Sequence, residues 1–234
     1  MDPKHFLISA RVEDDQFIDT KGNQINFYGT PEFGDSFIEG EKAIYTDASR
    51  YFKIKMPKSI TDGEFTVYFW IKIIQNDLPN RWGRMMSTID TNFHCNSGIQ
   101  MIATSSGGYI STNYFCIVID DAMYGKTSNF SFYTLNNTWT NYCICGKNGI
   151  ASVYINGKKF IDAPYKNIKL NDYVGFAYYS NEDNVHRHVT GYYDDIVVAN
   201  RCLFDREFTP PNQYLFPDIY KIVNENKNIY AKTT

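Results

Sequence analysis

Carboxylate pairs are the first chemistry to test in this sequence. A retaining glycosidase needs two carboxyls about 5–5.5 Å apart, which alternate residues on one strand supply. Between Phe65 and Arg206 the chain contains a single glutamate, Glu182, in a loop-like stretch. Asp120-Asp121 and Asp194-Asp195 are adjacent pairs, and adjacent side chains on a regular strand point to opposite faces. No acid–base pair is expected from them, and the chain is read as not an enzyme. Tyr192-Tyr193-Asp194-Asp195 also spells the Tyr-x-Asp-Asp of metal-dependent polymerase palms. Without a helical context, and in an acidic chain, four matching residues carry no weight.

Metal chemistry has two candidate places. The segment 180–188 is the most polar stretch, and Asn181, Glu182 and Asp183 are oxygen ligands of the type a hard cation such as calcium takes. His186 and His188 share a strand face and offer nitrogen ligands suited to zinc or copper. Neither set is complete, so the segment reads first as a solvated hairpin loop. Cys143-Ile144-Cys145 puts two thiols on one strand face. One such pair without a second is weak for metal, and reduced, half-buried strand residues are expected.

Ligand binding is expected on loops. A sugar ring needs an aromatic platform for its C–H face and amide or charged groups for its hydroxyls. Trp82 beside Arg81 and Arg84, Asn92 with His94, and Tyr178 and Tyr179 with Asn181 meet that description. Core or edge packing of each aromatic is the competing reading.

The elements that must position these residues are strands. Phe65, Val67, Phe69, Ile71 and Ile73 alternate with more polar neighbours and predict one strand with an apolar face. Tyr51-Phe52-Lys53-Ile54-Lys55-Met56 alternates likewise and stops at Pro57. Asn148-Gly149 and Asn156-Gly157 supply the positive φ angles that tight hairpin turns demand, so the residues between them read as a strand with a hairpin at each end. Gly107-Gly108 predicts another turn. Trp70 and Trp139 are expected to fill the space between two sheets about 10 Å apart.

Composition agrees. Among 234 residues are 19 Tyr, 17 Phe and 3 Trp, and aromatic residues favour pleated, half-buried surfaces. A net charge of −3 argues against non-specific nucleic-acid binding, which depends on Lys and Arg neutralising phosphates. The odd count of five cysteines shows no disulfide framework. Residues 1–10 lack a basic leader, and no stretch approaches the roughly 20 apolar residues of a membrane span. The expectation is a chain made in a cytoplasm with no membrane insertion. One domain is read over 1–216, with 217–234 as a polar tail or arm.

Six segments in order then resemble one family. Asp19-Thr20-Lys21-Gly22-Asn23 is similar to its early turn, and Gly40-Glu41-Lys42-Ala43-Ile44-Tyr45 with Tyr51-Phe52-Lys53-Ile54 to a strand pair. Phe65-Thr66-Val67-Tyr68-Phe69-Trp70-Ile71-Lys72 resembles its F-T-x-x-x-W-hydrophobic-K strand. Met86-Ser87-Thr88 falls where a short buried strand occurs. Trp139-Thr140-Asn141-Tyr142-Cys143-Ile144 and Val153-Tyr154-Ile155-Asn156-Gly157 resemble a strand and its hairpin. Gly191-Tyr192-Tyr193-Asp194-Asp195-Ile196-Val197-Val198 with Phe208-Thr209-Pro210-Pro211 is similar to its ending. The pattern is that of concanavalin A-like, laminin G-like jelly rolls.

That resemblance implies an all-β, two-sheet antiparallel sandwich with a short C-terminal tail. The Phe-Thr-Pro-Pro ending resembles the version in structural proteins of tailed bacteriophages, on tail, baseplate or capsid surface. It implies a virion location, homo-oligomers, other virion proteins and bacterial surface glycans as partners, and calcium at the rim as the one cofactor to expect. The function expected is a non-catalytic binding module for host attachment. A structural decoration or assembly protein is the alternative, and a glycoside hydrolase or accessory carbohydrate-binding protein comes third.

Overall fold

Every second side chain of the strand Phe65–Ile73 faces a dry interior. Phe65, Val67, Phe69, Ile71 and Ile73 are all buried, as the alternation predicts. The computed structural model describes residues 3–58, 60–61, 63–74, 83–88, 99–105, 113–119, 122–127, 137–166, 169–170, 173–177 and 189–215.

Among the described residues, the chain opens with a 3-10 turn, Pro3–His5, and continues as strands. These are β1 (Phe6–Glu13), β2 (Gln16–Asp19), β3 (Ile25–Tyr28), β4 (Phe33–Asp35), β5 (Lys42–Thr46), β6 (Tyr51–Lys55), β7 (Ile60–Thr61), β8 (Phe65–Ile73) and β9 (Gly83–Ser87). They continue as β10 (Ile99–Ser105), β11 (Asn113–Ile119), β12 (Ala122–Thr127), β13 (Trp139–Lys147), β14 (Ile150–Ile155), β15 (Lys158–Pro164), β16 (Lys169–Leu170), β17 (Tyr173–Phe176) and β18 (Gly191–Ala199). No helix among these residues is long and apolar enough to cross a membrane.

Two antiparallel sheets carry the fold. A nine-stranded sheet runs β15-β14-β13-β8-β18-β1-β2, with β5 also on β18 and β4 on β5. A seven-stranded sheet runs β12-β11-β10-β9-β17-β6-β3. The non-sequential neighbours and uniformly antiparallel pairing are those of a jelly-roll sandwich. The Asn-Gly reading holds: Asn148 (φ 52°) and Gly149 (φ 75°) close β13 onto β14, and Asn156 (φ 49°) and Gly157 (φ 73°) close β14 onto β15. The turn at Gly107-Gly108 lies outside the described residues.

Aromatic rings join the sheets. Phe69 and Tyr193 of the nine-stranded sheet meet Phe176 at centroid distances of 5.5 and 5.6 Å, edge to face. Phe52 stacks on Phe176 at 5.3 Å. Each such pair contributes about 0.5–1.5 kcal/mol beyond the area it buries. The Tyr193 hydroxyl donates to the Met85 carbonyl at 2.9 Å, so a polar group at the centre of the core is satisfied across the sheets.

Trp70 and Trp139 correct the expectation. Because Phe69 and Ile71 point inward, Trp70 points to the outer face of the nine-stranded sheet. There it stacks on Phe37 at 4.4 Å, with Trp139 edge-on to the same ring at 6.0 Å. A second, smaller apolar cluster extends over that face: Phe6, Tyr68, Cys143, Cys145, Tyr154 and Val197 beneath Leu203, Phe204, Phe208 and Leu215. Residues 200–215 form no strand; they cross the outside of the sheet as a strap.

Candidate binding surface

The two outer faces of the sandwich differ in chemistry. On the nine-stranded sheet the chain seals itself. The Phe204 and Phe208 rings stack at 3.8 Å, and Phe208 meets Tyr154 at 5.6 Å. Cys143 and Cys145 are buried and free beneath this strap, with sulfurs 3.6 Å apart. Burial raises the Cys145 thiol far above its ordinary range. Among the described residues no three His, Cys, Asp or Glu side chains are arranged to hold a metal ion.

The acid pair lies on this sealed face, and its geometry differs from the regular-strand expectation. Asp194 pairs with Trp70 and Val197 with Tyr68, so three steps along β18 match two along β8. The extra residue is a β-bulge, and Asp195 takes φ 44° within it. The same two residues mark the point where the neighbour of β18 changes from β5 to β1. The bulge brings both carboxyls to one side instead of opposite faces, where both act on Arg11 and Tyr214.

Asp194 accepts from the Ser36 hydroxyl and, through its other oxygen, from the Asp195 N–H at 2.8 Å. Asp195 accepts from the Leu215 N–H at 2.9 Å. Burial pushes Asp194 up to about 7 and Asp195 up to about 8, with the neighbouring Asp194 charge adding to the second. Such values suit acid–base work. At 0% and 2% exposure, however, neither carboxyl is open to a substrate.

The outer face of the seven-stranded sheet is different. Its inward positions are Phe52 and Ile54 on β6 and Val174 and Phe176 on β17, which leaves Tyr51, Lys53 and Lys55 and Tyr173 and Gly175 facing out. Register aligns Asn26, Lys53, Gly175 and Ser87 in a row across four strands. Gly175 and Ser87 in this row are buried. Beside them the Tyr28 and Tyr51 rings stack at 4.4 Å and 21°. The Lys53 ammonium sits 4.4 Å from the centroid of Tyr173. Tyr51, Lys53 and Tyr173 are half-buried and Tyr28 is 37% exposed. Rings beside an ammonium and an amide offer the platform and donors a saccharide takes.

Trp82, Asn92, His94, Tyr178, Tyr179, Asn181, Glu182 and Asp183 lie outside the described residues, as do His186, His188 and the tail 217–234. The residues flanking them sort the set. Trp139 pairs with Lys72, and Gly191 with both Ile73 and Thr46, so these strand ends share one end of the sandwich. The stretches containing Trp82 and 178–183 leave and rejoin the described chain there, at Ile74 and Gly83 and at Ala177 and Val189. Asn92 and His94 belong to a stretch that leaves at Thr88 and returns at Ile99, at the other end of β9. Tyr51, Lys53, Tyr173 and Gly175 were missed because nothing in a sequence shows that residues 120 apart are neighbours. The alternation in Tyr51–Lys55 was the available signal.

Comparison with known proteins fits this architecture. The profile of the concanavalin A-like lectin/glucanases superfamily matches residues 46–208, and the chain belongs to that family. No curated protein matches it in sequence. Among solved structures it is similar to the binding domain of Paraclostridial Mosquitocidal Protein 1, with TM-score 0.65 and 16% identity over 86% of this chain and 50% of that one. The receptor binding domain of botulinum neurotoxin D gives TM-score 0.64 and 15% identity over 95% and 53%. The botulinum neurotoxin serotype G binding domain gives 0.62 and 15% over 85% and 48%. The chain spans about half the length of these solved relatives, and at such identities the likeness is one of fold.

Proposed function

We propose that this protein is a non-catalytic binding module that attaches its bearer to a cell surface through glycans, using the outer face of the seven-stranded sheet. One observation carries the reading: the partly exposed Tyr28, Tyr51, Lys53 and Tyr173 lie together on this outer face, while the Asp194–Asp195 pair is sealed under the chain's own strap. The solved relatives named above are binding domains, which supports binding over catalysis. The bearer we propose is a bacteriophage virion, supported by the resemblance of the Phe208-Thr209-Pro210-Pro211 ending. The stretches containing Trp82 and 178–183 are proposed as additional contacts at the rim.

The test is a screen of the purified protein against bacterial glycans and intact cells, with calcium and with chelator, beside the Tyr51→Ala variant. Saturable binding lost in the variant supports the reading. Loss with chelator supports a calcium requirement, for which the 181–183 stretch is the proposed place. Binding that Tyr51→Ala leaves unchanged moves the site elsewhere.

A second reading, a virion decoration protein, is favoured by the edge strand β3, where Phe27 and Tyr28 are 36% and 37% exposed. Exposed edges are templates for pairing with another chain. Incorporation into particles that survives a charge placed at Phe27 counts against it.

A further inference from the structure

The two sheets divide the chain's charge unequally. Strands of the nine-stranded sheet mix acids and bases, and these close on one another or on the adjoining strap. Arg11 pairs with Glu13 at 2.5 Å, Lys159 with Asp162 at 2.7 Å and Lys158 with Glu207 at 3.0 Å. Among the described residues, the strands of the seven-stranded sheet hold no Asp or Glu. Their charged residues are Lys53 and Lys55 on β6, Arg84 on β9 and Lys126 on β12. In a chain of net charge −3, that segregation gives one sheet a positive field of its own.

The lysines of β6 stand among the rings of the outer face. Period two puts Tyr51, Lys53 and Lys55 on that face, with Phe52 and Ile54 buried behind them. Lys53 and Lys55 are therefore neighbours on one side, with Cα atoms about 6.8 Å apart. Tyr173 lies opposite Lys55 in the register, and its ring carries the Lys53 ammonium at 4.4 Å. Asn26 lies opposite Lys53 on the other flank, and the Tyr28–Tyr51 stack follows it along the same two strands. Lys53 thus lies between two aromatic platforms. Lys55, exposed to solvent, extends the basic run past the second. Glu32 and Asp47, which precede Tyr51 in the chain, are held by Arg50 at 2.7 and 3.2 Å.

We propose, on the basis that this face is the glycan-binding one, that its ligand is an acidic glycan: a carboxylate or phosphate meets Lys53 and Lys55 while the sugar rings lie against Tyr51 and Tyr173. A neutral glycan would strip water from two ammoniums and return no counter-charge, which weakens binding. An acid group replaces that water with charge-assisted hydrogen bonds, about twice as strong as neutral ones. The field of the sheet also draws an anion in from a distance, and salt weakens that attraction. Nucleic acid fits less well. Lys53, Lys55, Arg84 and Lys126 are few beside the roughly 6–10 phosphate contacts of a duplex-binding protein.

The test is an array of acidic bacterial polysaccharides, each beside its methyl-esterified or dephosphorylated form, probed with the full chain. Wild type is expected to bind an acidic member on the order of 100-fold more tightly than its neutralised form, about tenfold for each lysine. The esterified arm identifies a carboxylate and the dephosphorylated arm a phosphate. Lys53→Gln with Lys55→Gln is expected to lose that factor for the acidic member only, and arginine at both positions to retain binding. If the double variant does not fold, Lys55→Gln alone, at an exposed position, is expected to lose about tenfold. Raising NaCl from about 0.1 to 1 M cuts the Debye length from about 10 to 3 Å and should weaken the acidic member alone. Equal affinity for both members of a pair, or acidic binding unchanged in the lysine variants, overturns the inference and leaves glycan binding standing. No binding to any glycan by the folded protein overturns both. Inorganic polyphosphate or single-stranded DNA bound as tightly as the acidic glycan also overturns the inference, because charge alone would then suffice.

Discussion

Replacing Gly157 with alanine isolates the contact that docks the strap. Gly157 sits at φ 73° in the β14–β15 turn, and a Cβ there would lie 1.8 Å from the Phe208 carbonyl oxygen and 2.9 Å from Pro210 Cδ. The obstacle is backbone, so the strap must retreat. An alanine at positive φ costs about 1–2 kcal/mol. Retreat also loses the Phe208 N–H bond to Gly157, about 1 kcal/mol, and loosens Phe208 from Phe204 and Tyr154, about 0.5–1.5 kcal/mol for each ring pair. The expected loss is roughly 3–6 kcal/mol in urea unfolding at unchanged m-value. Gly22→Ala is the control, because Gly22 has φ 78° and nothing within 4 Å of a Cβ. It should lose only the backbone part, about 1–2 kcal/mol. Equal losses in the two variants would refute the close approach of strap and turn.

Three further outcomes are expected. Tyr193→Phe removes one of two hydrogen bonds to the Met85 carbonyl, which keeps the Ala177 N–H at 3.2 Å, and should cost about 1 kcal/mol of unfolding free energy, read by denaturant titration. Asp19→Ala leaves the Ser9 and Asn23 N–H groups, now bonded at 2.7 and 2.9 Å, without their acceptor. It should destabilise by about 2–3 kcal/mol, more than Asp19→Asn, by the same titration. Cys143 and Cys145 should resist alkylation in the folded protein and react on unfolding, because both are buried and the strap covers them; fast labelling of native protein would contradict that placement.

Legibility followed regularity. Where a ladder is regular, period-two reading identified the buried side of β8 and the alternation of β6, and the Asn-Gly pairs located the turns flanking β14. The same reading failed where the ladder is interrupted. Asp194 and Asp195 were assigned opposite faces because the bulge, and the φ of 44° at Asp195, have no signature in residue types. Trp70 was expected in the core for its size, although the alternation that buries Phe69 and Ile71 requires it to point out. A strap such as 200–215 is invisible to periodicity, since its aromatic residues pack without forming a strand. The proposed binding surface is assembled from β3, β6, β9 and β17, and only sheet register makes neighbours of Lys53 and Gly175.

The most direct test of the account is the affinity of the protein for a glycan or cell surface that it binds, compared with the Tyr51→Ala, Tyr173→Ala double variant by calorimetry. Each ring that stacks on a sugar contributes about 0.5–1.5 kcal/mol, so the account predicts an affinity reduced on the order of 10- to 100-fold with unchanged unfolding by denaturant. Equal affinity in the double variant, or no binding to any surface by the folded wild type, would contradict it.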